Sequence, residues 1–178
     1  MFYDILDEKR KAILPLLAVF KNEFYLAGGT GLALQLGHRD SIDFDFFTEK
    51  HFNTIKLYER CREIFKGQSL IKTQEENDTL TIFVDKSIKL SFFRYSYPLL
   101  SAPVSEPYLE IASIADIGCM KLSAIVSRAT KKDYVDLYYI FKHIPLAELL
   151  NKLKEKMPEL DHILALKSLM YFKDVADE

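Results

Sequence analysis

The sequence lacks tryptophan, carries only two cysteines and has almost no net charge, and each scarcity narrows what the chain does. Cys61 and Cys119 form no metal-spaced cluster, so neither a zinc centre nor a disulfide scaffold organises the fold; a reduced, cytoplasmic setting is expected. His38, His51, His143 and His162 are scattered, and none has ligand spacing with another His or Cys. The 24 basic and 26 acidic residues leave a formal charge of −2, which argues against a broad basic face for nucleic acid. A nucleic-acid substrate would have to be held by a local patch. No apolar run approaches the ~20 residues of a membrane span, there is no basic-plus-apolar leader, and there is no repeat or low-complexity tract. A membrane partner is therefore not expected. Core material is plentiful: 49% of the 178 residues are hydrophobic, including 13 Phe and 10 Tyr. That suits one compact domain or two small lobes sharing a core.

The stretch from Phe24 to Phe47 concentrates the chemistry. A short apolar run, Phe24 to Ala27, ends at Gly28 and Gly29. A helical pattern from Thr30 to Leu36 stops at Gly37. A basic turn, His38 and Arg39, leads into alternation that places Ile42, Phe44 and Phe46 on one face and Asp43 and Asp45 on the other. Residues i and i+2 of a strand lie roughly 7 Å apart on one face, so two carboxylates held this way suit a divalent metal. A Gly-Gly turn at a helix N-terminus offers backbone N–H groups to a phosphate, and Thr30 there suits a cap or a phosphate donor. Metal and phosphate sites so close in sequence point to nucleotide chemistry.

Around this stretch the pattern is mixed. Ile5 to Lys21 has apolar residues at helical spacing, with Pro15 inside it. Asn53 or Thr54 caps a helix to about Phe65. Leu70–Gln74, Thr79–Asp85 and Ile88–Arg94 alternate as strands, the last two joined by Asp85-Lys86-Ser87. This predicts an α+β lobe over residues 1–100: a small mixed sheet of four or five strands with helices on one face. Pro98 to Pro107 reads as a linker, and residues 108–178 as a helical lobe. Ser113 caps a helix to about Arg128, a second runs from Lys131 to Lys142, and Pro145 and Pro158 introduce two more. The stripe Tyr134, Leu137, Tyr138 and Phe141 reads as core. Lys152, Lys154 and Lys156, balanced by Glu148, Glu155 and Glu159, read as a solvated face.

The Gly28-Gly29-Thr30 turn and the run Arg39-x-Ser41-x-Asp43-x-Asp45 resemble the nucleotidyltransferase fold shared with DNA polymerase β, and look most like its AbiEii/AbiGii toxin family. Asp116 to Ala124 and Arg128 to Leu137, which hold Lys121, Asp133 and Asp136, resemble the family as well, so the likeness covers about residues 24–142. The resemblance implies that Gly28, Gly29, Thr30, Arg39 and Ser41 bind a nucleoside triphosphate and that Asp43 and Asp45 bind Mg²⁺, two ions in an active enzyme. It assigns Lys121 a triphosphate contact. Asp133 and Asp136 would face the nucleotide, Asp133 on ribose or base and Asp136 orienting Lys121 or Arg128. The family's chains commonly continue past residue 178, which implies a shortened helical lobe.

Polymerase-β-like enzymes take a third carboxylate from a neighbouring strand. The matching run here is Lys89-Leu90-Ser91, which puts a hydroxyl at the expected acid, with Asp85 as an alternative in the turn. The implied function is Mg²⁺-dependent transfer of a nucleoside monophosphate from NTP to a tRNA end or another RNA, or to a protein hydroxyl. The setting would be a toxin–antitoxin or phage-defence pair with a cognate antitoxin as partner. The alternative is a degenerate module that binds nucleotide without turnover, for which Ser91 is the support. A third reading is an antitoxin-like protein that modifies its cognate toxin.

Overall fold

A computed structural model describes residues 1–171, and the chain divides into two compact units. The first comprises Met1–Ser96 with Pro103–Ile111; the second comprises Tyr97–Ala102 and the chain from Ala112 onward.

The first unit is built on a seven-stranded sheet. Its strands are β1 (Tyr25–Ala27), β2 (Phe44–Thr48), β3 (Leu70–Glu76), β4 (Thr79–Val84), β5 (Ile88–Arg94), β6 (Val104–Ser105) and β7 (Glu110–Ile111), in the order β3-β4-β5-β2-β1-β7-β6. The β2/β5 and β1/β7 pairs are parallel and the rest antiparallel, so the sheet is mixed. Three helices accompany it: α1 (Glu8–Leu17), α2 (Gly28–Leu36) and α3 (Thr54–Ile64). Phe44, Phe46, Leu80, Ile82, Leu90 and Phe92 alternate onto one face. They form a single core with Ile13, Leu14 and Leu17 of α1, Leu34 of α2 and Leu57 and Cys61 of α3.

Several boundaries differ from the expectation. The first helix spans Glu8–Leu17 rather than Ile5 to Lys21, because the Asp7 carboxylate accepts from Arg10 N and so fixes its start; short 3₁₀ turns flank it. Ile42 does not join Phe44 and Phe46: it precedes β2 and is exposed. The stretch read as a linker contributes β6, and β7 follows it, which raises the strand count to seven. Strands of two residues have too few positions for alternation to be read.

The second unit contains α4 (Ile114–Ser127), α5 (Lys131–Ile140), α6 (Leu146–Lys156) and α7 (His162–Ser168). Ser113 caps α4, its Oγ accepting from Asp116 N at 3.0 Å. Gly118 lets α4 approach α6, since a Cβ there would meet Leu149 Cδ1 at 2.9 Å. Two readings are corrected here. Tyr138 is 60% exposed, its ring beside the Lys142 ammonium, while Leu137 and Ile140 carry the buried face of α5. Lys156 is not on a solvated face: it is 2% exposed and its Nζ meets Asp116 Oδ1 at 2.8 Å and the Pro98 carbonyl at 2.6 Å. No described helix is long and apolar enough to cross a membrane.

Candidate functional site

In the first unit, β1 turns into α2 at Gly28, whose φ of +64° favours glycine. A Cβ there would lie 3.1 Å from Asp45 Oδ2, so the Asp45 carboxylate sits against the N-terminus of α2. Gly29 meets a second constraint: its Cβ would fall 2.3 Å from Arg39 Nη2 and 3.2 Å from Ser41 Oγ. A carboxylate, a guanidinium and the positive end of a helix therefore converge at Gly28-Gly29.

Thr30 is buried. Its Oγ1 contacts the Asp43 carbonyl and lies 2.8 Å from Ser41 Oγ. Asp43 immediately precedes β2; its side chain is 45% exposed, and Lys89 Nζ stands 3.8 Å from its Oδ2. An ion pair at that distance and exposure contributes little.

Register sets the neighbours. Asp45 pairs with Ala27 of β1 and with Ser91 of β5, and Ser91 pairs with Thr81 of β4. Directly paired residues share a face, so the row beside Asp45 continues through a hydroxyl and a threonine rather than an acid. Ser91 is 0% exposed, and its Oγ has no hydrogen-bond partner among the described residues. Asp85 does not fill the gap: it is exposed, lies in the β4–β5 turn and accepts from Ser69 N at 2.9 Å. Among the described residues, no group of three or more His, Cys, Asp or Glu could hold a metal ion. The carboxylate oxygens of Asp43 and Asp45 are of the hard type that divalent ions take, and Ser91 adds no charge beside Asp45.

The second unit holds the other sequence candidates. Lys121 reaches from α4 to α5, where its Nζ lies 2.7 Å from Asp133 Oδ1 and 2.8 Å from Asp136 Oδ2. Thr130 Oγ1 donates to Asp133 Oδ2 at 2.9 Å, and Arg128 Nε lies 3.4 Å from the same oxygen. Burial pushes the Asp133 carboxyl up, but the Lys121 charge and hydrogen bond, with Thr130 and Arg128, outweigh it and hold the group below its ordinary value. Asp136 is 0% exposed, so it is not the surface partner of Lys132 that i, i+4 spacing offers. Burial pushes the thiols of Cys61 and Cys119 up to about 12, which leaves both inert.

Two buried cations, Arg10 and Lys156, were hidden in the sequence. Arg10, 5% exposed, donates from Nε to the Ile42 carbonyl at 2.6 Å and from Nη2 to the Ser87 carbonyl at 2.8 Å. Asp116 anchors the Lys156 network and accepts from Leu100 N at 2.9 Å. Their signal was position: Arg10 falls on the stripe of Leu6, Ile13, Leu14 and Leu17, and Lys156 on that of Leu149 and Leu153.

A family model described as "Nucleotidyl transferase AbiEii toxin, Type IV TA system" matches residues 16–174. The chain belongs to the AbiEii nucleotidyltransferase toxin family. Membership makes it a nucleotidyltransferase-type enzyme, and both clusters lie within the matched span. An uncharacterised protein of Aquifex aeolicus strain VF5 is 42% identical, over 96% of this chain and 84% of its own length. Among solved structures, JHP933 of Helicobacter pylori is similar at a TM-score of 0.59 and 20% identity, over 93% of this chain and 90% of that one. The antibiotic-resistance factor ANT(2'')-Ia matches at 0.57 and 12%, over 84% and 92%. MenT4, a nucleotidyltransferase toxin of Mycobacterium tuberculosis H37Rv, matches at 0.54 and 20%, over 80% and 61%. These structural likenesses show a nucleotidyltransferase fold.

Proposed function

We propose that the chain transfers a nucleoside monophosphate from an NTP to an RNA 3′ end, with Mg²⁺ held by Asp43 and Asp45, as the toxin of a toxin–antitoxin pair. The observation that carries this is the convergence at Gly28-Gly29 of the Asp45 carboxylate, the Arg39 guanidinium and the N-terminus of α2, with the positions of a Cβ falling 3.1 Å from Asp45 Oδ2 at Gly28 and 2.3 Å from Arg39 Nη2 at Gly29. Backbone N–H groups of the turn and the Arg39 guanidinium receive the phosphates, and a planar guanidinium suits that task. Mg²⁺, when bound, neutralises charge on the phosphate under attack. Lys89 adds a cation beside Asp43. Lys121, Asp133 and Asp136 are engaged in mutual ion pairs within the second unit. The RNA acceptor, the cognate antitoxin and a cytoplasmic location are inferences from the family.

The test is label transfer from each of the four NTPs to total cellular RNA in Mg²⁺, with Asp45→Asn as control. Labelled RNA from wild type and none from the variant is the expected result; labelled protein would move the acceptor class, and no transfer with any NTP would overturn the enzyme reading.

Ser91 favours a second reading, a module that binds nucleotide without turnover. A neutral, buried hydroxyl stands directly beside Asp45 where a third carboxylate would assist proton removal from the acceptor. Nucleotide binding in calorimetry, joined to a blank transfer assay, distinguishes it.

A further inference from the structure

Asp43 lies outside the sheet ladder, one residue before β2, so no strand partner fixes its backbone. Yet the carbonyls on both sides of its Cα are anchored. The Ile42 carbonyl accepts from Arg10 Nε at 2.6 Å, and the Asp43 carbonyl accepts from Thr30 Oγ1. Both donors are buried, Arg10 at 5% and Thr30 at 1% exposure. Arg10 is itself fixed, by its ion pair with Asp7 and by the Ser87 carbonyl at 2.8 Å. Two buried side chains, from α1 and α2, thus set where the Asp43 Cα–Cβ bond points.

Proton counting sharpens this. A threonine hydroxyl has one proton. Thr30 gives it to the Asp43 carbonyl, so the 2.8 Å contact between Thr30 Oγ1 and Ser41 Oγ is donated by Ser41. Neither hydroxyl then has a proton for a phosphate oxygen, which accepts only. We propose that Arg10 and Thr30, with Ser41 behind Thr30, are positioning residues for Asp43, and that phosphate recognition falls to the backbone of the Gly28-Gly29 turn and to Arg39. This rests on Asp43 being a metal ligand, as proposed above, and it moves Thr30 and Ser41 from ligands of the nucleotide to supports of the carboxylate.

The experiment is calorimetric titration with ATP, in Mg²⁺ and in EDTA, of the full chain and of Thr30→Val, Thr30→Ser, Ser41→Ala and Arg10→Lys, each checked by thermal unfolding. Thr30→Val is expected to lose about tenfold in affinity in Mg²⁺, the worth of one hydrogen bond, and nothing in EDTA. Thr30→Ser, which keeps the hydroxyl, restores it. Arg10→Lys keeps the charge but not the fork that spans two carbonyls, and shows the same Mg²⁺-specific loss. Ser41→Ala shows a smaller loss of the same kind and decides the matter if Thr30→Val does not fold. Weakening in EDTA equal to that in Mg²⁺ would place the hydroxyls on the phosphates and overturn the proposal, as would Mg²⁺-dependent affinity unchanged in every variant. A wild type with no Mg²⁺-dependent component would instead remove the metal reading itself, and the proposal with it.

Discussion

Asp116, Asp133 and Asp136 of the helical unit and Asp43 of the sheet unit live under different rules. In the helical unit Asp116, Asp133 and Asp136 are at most 1% exposed, and each has a lysine ammonium within 2.8 Å. In the sheet unit the Asp43 side chain is 45% exposed and its lysine stands 3.8 Å away. A buried carboxylate is tolerable only when a cation and hydrogen bonds replace its water, and removing that cation is costly. A half-exposed one keeps part of its hydration and needs no close partner. The helical acids are thus neutralised within their own unit and act first on stability. Asp43, close to the α2 turn, keeps charge available for a cation from solution.

The largest effect should come from breaking the most buried pair. Lys156→Met leaves Asp116 at 0% exposure with its cation gone, while the Pro98 carbonyl loses its donor. The expected loss is about 3–5 kcal/mol of unfolding free energy, read from urea denaturation. A loss below about 1 kcal/mol would show that Asp116 rehydrates, and would dissolve the contrast between the units.

Acid should act next, and through the same unit. The Asp133 carboxyl is held below its ordinary value of 3.8. A depressed folded value contributes stability that is complete above the unfolded value and lost as pH falls through the folded one. Urea midpoints should therefore fall as pH drops below about 3.8, where the unfolded chain begins to take up the proton. Lys121→Met should move that fall to higher pH, because burial then acts on Asp133 without the opposing charge. A midpoint curve identical in wild type and variant would detach Asp133 from Lys121.

A smaller and conditional effect is expected at Ser91→Asp. The new carboxylate enters a 0% exposed position beside Asp45, so without metal it should lower stability by about 1–3 kcal/mol. Mg²⁺ should restore much of that loss, since a third hard ligand strengthens the site. Equal melting temperatures with and without Mg²⁺ would show that the row beside Asp45 is not where the ion is held.

Much of this was legible in the sequence, and the failures share one cause. The Gly-Gly turn, the alternation of Phe44 and Phe46 with Asp45, and the caps at Asn53 and Ser113 rest on local geometry, which short spacing encodes. The family resemblance set Ser91 at the third-carboxylate position, and the alternation of Leu90 and Phe92 toward the core gave its face; its pairing with Asp45 is read from the register. Arg10 and Lys156 went unseen because a charge on an apolar stripe reads as surface unless its partner is known. Those partners, Ile42 and Asp116, are 32 and 40 residues away. β6 and β7 were missed for want of length.

The smallest expected effect on stability is the one that bears most on function. Asp43→Ala removes a half-exposed carboxylate whose ion pair with Lys89 spans 3.8 Å. The carbonyls flanking its Cα remain available to Arg10 and Thr30, since alanine keeps the backbone groups. Unfolding free energy should therefore change by no more than about 0.5 kcal/mol. The same variant should lose Mg²⁺-dependent nucleotide affinity, because a hard anionic ligand has no substitute in a methyl group. Melting curves with and without Mg²⁺ and ATP separate the two: wild type should gain in melting temperature on adding both, and the variant should not. A variant that loses stability as Lys156→Met does would place Asp43 with the structural acids and end the distinction between the two units.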